Sequence, residues 1–407
     1  MLANIPEKEA PEARRGFDGA QPVDRYPFIF YDLLKKGYVT SYIEDSPRDA
    51  TFHYRLLGFE NPPTVKYTRA FWMRAWEPLK DTHIRCLHQL SLNYTKNFFD
   101  TLRDERKFIF IANNIGHKHI QSMALADEDT LDVYRYFKQH GHLQNTAVIM
   151  FGDHGPRTSS FRSTLTGKLE ERLPFLSITL PSWFAEEYPE HHENLSANTN
   201  VLTSHFDVYA TLQHLMNLTS TKTNYGLGQS LFTKIDPVKR TCASTGVDSH
   251  WCPCLQYTTV DVKDEVVVQI TNQIIHQMNK QLCVISETCS KCTPLSVHKI
   301  TKAGRRTPSE IVQNFKATKG NSVCDSCAIR LNWFKTRLKY FMYEIVFVAA
   351  PSGGLFEATA LVSLNFRNQI VELRVDQRSI SRINLYGSQP DCIAARYPHL
   401  RNFCYCK

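Results

Sequence analysis

The sequence predicts an α/β domain built on a mostly parallel sheet, followed by a smaller cysteine-rich α+β module, and three observations carry that prediction. Helix-like and strand-like stretches alternate from residue 27 to about residue 216, the pattern of a parallel sheet with helices on both faces. The strand-like runs are short, continuous and apolar, as in Ala147-Val148-Ile149-Met150-Phe151, which suits strands covered on both sides. Eleven of the twelve cysteines fall between Cys242 and Cys406, which sets off a stapled second module. At 407 residues the chain also exceeds the roughly 250–300 residues at which single cores stop growing. The division expected is a loose start over 1–20, an α/β domain over 21–238 and a cysteine-rich domain over 239–407.

The elements follow in order. Residues 1–20 are polar and rich in Glu, Ala, Pro and Arg, a composition expected to stay loose. Pro27 opens a helix, PFIFYDLLKK, that Gly37 closes, and Tyr38–Ile43 reads as a strand ended by Glu44 and Asp45. The logic repeats with a helix over 90–103, a strand Phe108–Ile111 and a loop, Asn113-Asn114-Ile115-Gly116-His117. A helix over 126–140 places Asp127, Glu128 and Asp129 in its first turn, where the macrodipole favours acids, with Gly141 just past its end. The strand 147–151 comes next, then a strand over 173–180 bracketed by Pro174 and Pro181. Residues 204–216 form a helix with Phe206, Tyr209, Leu212 and Leu215 on one face. Beyond Cys242 the pattern predicts a helix over 267–282, a loop-rich cysteine region, and strands over 343–349, 359–364 and 370–375.

The net charge of +8 comes as scattered pairs (Arg14-Arg15, Lys35-Lys36, Arg305-Arg306) with acids nearby, not as one stripe. That is a solvated surface and argues against nucleic acid as a partner. No stretch reaches the roughly 18 continuous apolar residues of a membrane span, and 341–356 is broken by Glu344 and Pro351. The start, MLANIPEKEAPEARR, has no apolar core of the signal-peptide kind. The cysteines and three sequons (Asn93-Tyr94-Thr95, Asn194-Leu195-Ser196, Asn217-Leu218-Thr219) nevertheless place the chain outside the cell or in the secretory pathway. A longer gene product with an upstream segment is therefore expected.

The chemistry concentrates after residue 151. At a strand end the chain leaves the pleat, so both side chains of Asp153-His154 can turn to one ion, and Gly152 and Gly155 let the backbone fold around them. A carboxylate oxygen and an imidazole nitrogen suit zinc or manganese, although two ligands do not close a site. The alternative is an Asp153 that caps a turn beside an ordinary loop histidine.

Phe151-Gly152-Asp153-His154-Gly155, then Leu173-Pro174-Phe175, then His205-Phe206-Asp207-Val208-Tyr209 resemble the second half of the alkaline phosphatase and sulfatase superfamily catalytic domain. Within it, GYVTSYIEDSPRDATFHYRLLGF (37–59), FGDHGPR, GKLEERLPFLSITLP and the tail SRINLYGSQPDC with its final CYC resemble the secreted, sulfatase-like family called domain of unknown function 229, known mainly from nematodes and insects. The resemblance implies an alkaline-phosphatase-like doubly wound sheet lacking its amino-terminal part. It also implies a divalent metal (zinc, manganese or calcium) and a phosphate or sulfate ester substrate on a glycan or other surface molecule. Carried over, Asp153 and His154 match metal ligands, and Asn113 and His117 match a second aspartate and histidine, with His119 as fallback and His205 as a further histidine. Glu44 and Asp45 stand where typical sulfatases carry a lysine and a histidine, which argues against ordinary sulfatase specificity, and Arg157 can contact an anionic group. The superfamily's nucleophile and first metal aspartate belong upstream of residue 37 and match nothing here. The readings that follow are a hydrolase or transferase of phosphate or sulfate esters and, alternatively, a non-catalytic secreted binding ectodomain.

The cysteine pairs Cys289/Cys292 and Cys324/Cys327 have zinc-knuckle spacing, and Cys252/Cys254 adds a third close pair. In a secretory setting they read as disulfides of open connectivity; in a cytosolic one they would hold zinc.

Overall fold

A computed structural model of the protein describes residues 2–79, 84–116, 123–158, 160–308, 339–365, 367 and 369–407. The chain forms two compact units, one from residues 1–151 and 175–235, the other from residues 152–174 and 236–407.

In the first unit the described elements are α1 (Ile29–Lys35), β1 (Val39–Glu44), β2 (Lys66–Tyr67), α2 (Arg69–Leu79), α3 (Ile84–Thr101), β3 (Lys107–Ala112), α4 (Met123–Gln139) and β4 (Val148–Phe151). After an excursion that carries α5 (Leu165–Arg172), the chain returns as β5 (Leu176–Thr179), α6 (Phe184–Glu187), α7 (Pro189–Ala197), α8 (His205–Leu215) and a hairpin of β6 (Asn224–Tyr225) and β7 (Gly228–Gln229). β1 lies between β2 and β3 and is parallel to both. Helices α2 and α3 make the crossover that two parallel strands require. The strand expected over 173–180 shortens to β5 and runs antiparallel to β4, with Phe151 opposite Leu176. This separate antiparallel pair is the exception that a mostly parallel arrangement allows: the returning chain pairs with β4.

Aromatic rings fill the core of this unit. Phe28 and Tyr42 are fully buried and surrounded by Phe30, Phe52, Phe59 and Tyr67 at ring separations of 4.9–6.4 Å, the range in which such pairs add to area burial. Residues 2–20 are packed, not loose: Leu2 and Ala13 are buried, and backbone bonds join Arg15 to Arg55 (2.9 Å) and Leu57 to Ala13 (2.9 Å). Two small apolar anchors and a paired backbone outweigh the polar composition.

The second unit contains β8 (Leu255–Thr259), α9 (Glu265–Leu282), α10 (Ser286–Lys291), β9 (Ser296–Pro308), β10 (Lys339–Ala350), β11 (Gly354–Leu364), β12 (Ile370–Arg374) and β13 (Ile380–Arg382). They build an antiparallel sheet of order β12-β11-β10-β9-β8, with β13 also on β11. Helix α9 starts at Asp264, whose carboxylate accepts from Val266 N at 2.8 Å, a regular N-cap. Its Val267, Ile270, Ile274 and Met278 are fully buried with Ile345, Phe347 and Phe356 of the sheet, the i, i+3, i+4 stripe of a core-facing helix.

Four disulfides join Cys242 to Cys252, Cys283 to Cys289, Cys292 to Cys404 and Cys392 to Cys406. Cys289 and Cys292 thus enter different bonds and do not offer two thiolates to one zinc. Cys254 is the one free thiol among the described side chains, and Cys324 and Cys327 lie outside the described residues.

Candidate functional site

The parallel strands of the first unit end in polar residues, where open α/β sheets bind their ligands. Glu44, the last residue of β1, and Asp45 after it are buried. Thr51 N donates to Glu44 Oε1 at 2.7 Å, and Asn114 N donates to Asp45 Oδ1 at 2.9 Å, so the loop after β3 closes on the end of β1. Burial pushes the Asp45 carboxyl up to about 6, with the bonds from Asn114 opposing and the neighbouring Glu44 adding. The folded form of this group favours the proton, so the stability it contributes is full below the unfolded value near 4 and is lost as pH rises through 6. Asp45→Asn is expected to raise the melting temperature of the first unit at pH 7.5, by an amount equivalent to roughly 2–3 kcal/mol, and to leave it unchanged at pH 4. Thermal scans at the two pH values check this; equal shifts at both would refute the ionisation argument.

Asn113 does not point at an open cleft. Its amide bonds to His88 Nδ1 on α3, and its Oδ1 accepts from Ile115 N at 2.9 Å. Donation by that amide puts the His88 ring proton on Nε2, 3.9 Å from Asp129 Oδ2 on α4. His88 is buried and Asp129 also accepts from Gln89 at 3.2 Å. Sequence reasoning missed His88 altogether and read Asp129 only as a favourable helix-start charge, because the two meet through helix packing that no local pattern encodes. His117 and His119 lie outside the described residues. His205 opens α8 beside a capping box of Ser204 and Asp207, and its ring packs edge-on to Phe151 at 5.8 Å.

Asp153 and His154 belong to the second unit. Asp153 Oδ1 accepts from His154 N at 2.8 Å, and His154 Nδ1 faces Gly155 O at 2.7 Å. An Nδ1 proton donated to that carbonyl leaves Nε2 with its lone pair, the arrangement by which proteins prepare a ligating imidazole. Nε2 then stands 3.3 Å from Asp153 Oδ2. Two donor atoms at that separation can each lie about 2.1 Å from one ion, so the pair fits a divalent cation. Within the second unit, no third histidine, cysteine or carboxylate donor joins them among the described residues. Arg157 is exposed.

The turn that carries this pair rests on α5. Gly155 N donates to Glu171 O at 3.1 Å, and a Cβ on Gly155 would come within 2.3 Å of the Glu170 carbonyl oxygen, so only glycine fits. Helix α5 is in turn held by a buried charge cluster. Glu357 on β11 accepts from Arg162 (3.0 Å), Arg172 (2.6 Å) and Lys168 (3.2 Å), while Glu344 on β10 pairs with Lys168 and Arg306 (3.2 Å to Arg306). Arg162 also bonds Glu171, and all these side chains are nearly inaccessible. Burial drives Lys168 down and Glu344 up; burial would raise Glu357 too, but Lys168, Arg172 and Arg162 hold it below the usual carboxylate range. Sequence reading took GKLEERLPF as a family signature without seeing that Lys168, Glu171 and Arg172 in it are internal.

An α/β unit with acids at its strand ends, followed by a glycine-flanked Asp-His pair in a disulfide-stapled unit, defines the class to which the chain belongs. The chain matches the family described as protein of unknown function (DUF229) over residues 3–301 and is a member of it. No curated protein and no solved structure matches the chain.

Proposed function

We propose that this chain is a sulfatase-like protein of the alkaline phosphatase superfamily that works outside the cell as a metal-dependent hydrolase or transferase of phosphate or sulfate esters. The observation that carries the reading is the Asp153–His154 pair, two metal-type donors 3.3 Å apart with the imidazole tautomer set by Gly155 O. Asp153 Oδ2 and His154 Nε2 would hold the ion. Arg157, exposed three residues beyond His154, would contact the anionic group of the substrate. A bound divalent ion supplies Lewis-acid neutralisation of charge on the ester oxygen. The four disulfides support an oxidising, extracellular setting. The nucleophile is assigned to no residue of this chain.

A second reading, a non-catalytic secreted binding ectodomain, draws on the exposure of Asp153, 82% accessible. The test is a manganese titration followed by electron paramagnetic resonance, alongside hydrolysis of an aryl phosphate and an aryl sulfate by the protein. Asp153→Ala is expected to weaken manganese binding at least tenfold and to abolish hydrolysis. An unchanged affinity and rate would remove the metal assignment; binding without turnover of either ester would favour the second reading.

A further inference from the structure

The first unit holds a cleft of about 560 Å³ far from the strand ends. It opens where α1 finishes, beside α8 and the β6–β7 hairpin, and β1 runs away from it for six residues before reaching Glu44, roughly 20 Å at strand rise. Three ammonium groups line it, from Lys35, Lys36 and Lys222. Its one carboxylate, Asp32, is engaged on the cleft wall, accepting from Gln213 Nε2 at 2.6 Å and from the Tyr209 hydroxyl at 3.4 Å. Lys35 and Lys36 form no ion pair among the described residues. The third cation is aimed by an aromatic ring, since Lys222 Nζ sits 4.6 Å from the Tyr225 centroid.

Cations at the last turn of a helix are ordinary, because they complement its dipole. Helix chemistry does not explain the third lysine, brought in from a hairpin nearly two hundred residues later, or the strain beside it. Asn4 on the cleft wall has φ 43°, the only positive value outside glycine among the described residues. That conformation lets its amide donate to Tyr225 O at 3.1 Å, while its own Oδ1 is buried with no hydrogen-bond partner. Gly226, at φ 61°, admits the approach, since a Cβ there would meet Asn4 Nδ2 at 3.3 Å. Backbone strain of this kind concentrates at ligand clamps. Here it fixes the hairpin that presents Lys222.

We propose that this cleft is a second binding site, for a sulfate or phosphate ester carried on a sugar-sized scaffold. Three compact ammonium charges without an arginine fork select charge density over a planar group. The volume lies in the usual range for small-molecule sites and far exceeds a bare oxyanion. The remaining lining is amide and phenol, from Asn224, Gln213 and Tyr209, which pairs with hydroxyl groups. The proposal is independent of the metal assignment above.

Calorimetric titration of the chain with a sulfated disaccharide, a hexose phosphate, the matching neutral sugars and sodium sulfate tests it. Binding of one or both charged sugars is expected, weakening as salt rises and absent for the neutral sugars; the tighter of the two names the ester. Lys35→Gln/Lys36→Gln/Lys222→Gln should lose at least tenfold in affinity with an unchanged melting temperature, because all three side chains lie at the surface. Tyr225→Leu, which frees Lys222 from its ring, should lose several-fold. Sodium sulfate binding as tightly as the sugars, unchanged affinity in the triple variant, or no binding by any probe would each overturn the assignment.

Discussion

Glu357→Gln is expected to destabilise the second unit by about 3–5 kcal/mol, the range for removing one partner of a buried ion pair. The glutamine keeps the shape of the side chain but leaves Arg162, Arg172 and Lys168 around a neutral group, with no water to replace the lost charge. Desolvation decides the size of the effect. The same interaction at the surface, Arg378 with Asp376 at 2.7 Å and nearly half exposed, should respond to Arg378→Ala by under about 1 kcal/mol. Urea unfolding followed by hydrogen exchange in α5 and β11 checks both. A loss below 1 kcal/mol in Glu357→Gln would mean that the cluster relaxes or hydrates.

The second large effect concerns Cys292–Cys404, which closes a loop of 112 residues. Restricting the unfolded chain over that span is worth about 4–5 kcal/mol, against about 2 kcal/mol for Cys283–Cys289, which closes 6 residues. Cys292→Ala/Cys404→Ala should therefore lower the melting temperature of the second unit much more than Cys283→Ala/Cys289→Ala. Equal losses would show that native packing around each bond, not loop length, sets its contribution. Cys392–Cys406 anchors only a local turn, its ends separated by 14 positions, and cannot take over the longer closure.

Long apolar stretches were legible because length and composition agree. Helix α9 and strands β1, β3 and β11 lie within a few residues of where periodicity places them. What escaped reading is polar in sequence and structured only by its neighbours. Strand β9, SVHKITKAGRRTP, carries too many charges to look like sheet, yet it sits between β8 and β10. Helix α2 ends in Pro78, which discourages a helix prediction. Leu-Glu-Glu-Arg in α5 has the composition of a solvated face, and only the facing Glu357 and Glu344 show otherwise. The Asp153–His154 pair was legible because glycines and a strand frame it; the separate pairing of His88 on α3 with Asp129 on α4 was not. The cysteine spacings left the connectivity open, and it is the fold that joins Cys289 to Cys283 and Cys292 to Cys404.

Phe151 and Leu176 face each other across β4 and β5, yet everything between residues 152 and 174 is built into the other unit. No single proteolytic cut or gene truncation can therefore yield either half intact: one fragment would lose its α5 segment and the other would keep an orphan. Dissection calls for a graft, in which a short glycine turn splices 151 to 175 and the excised piece is fused ahead of residue 236.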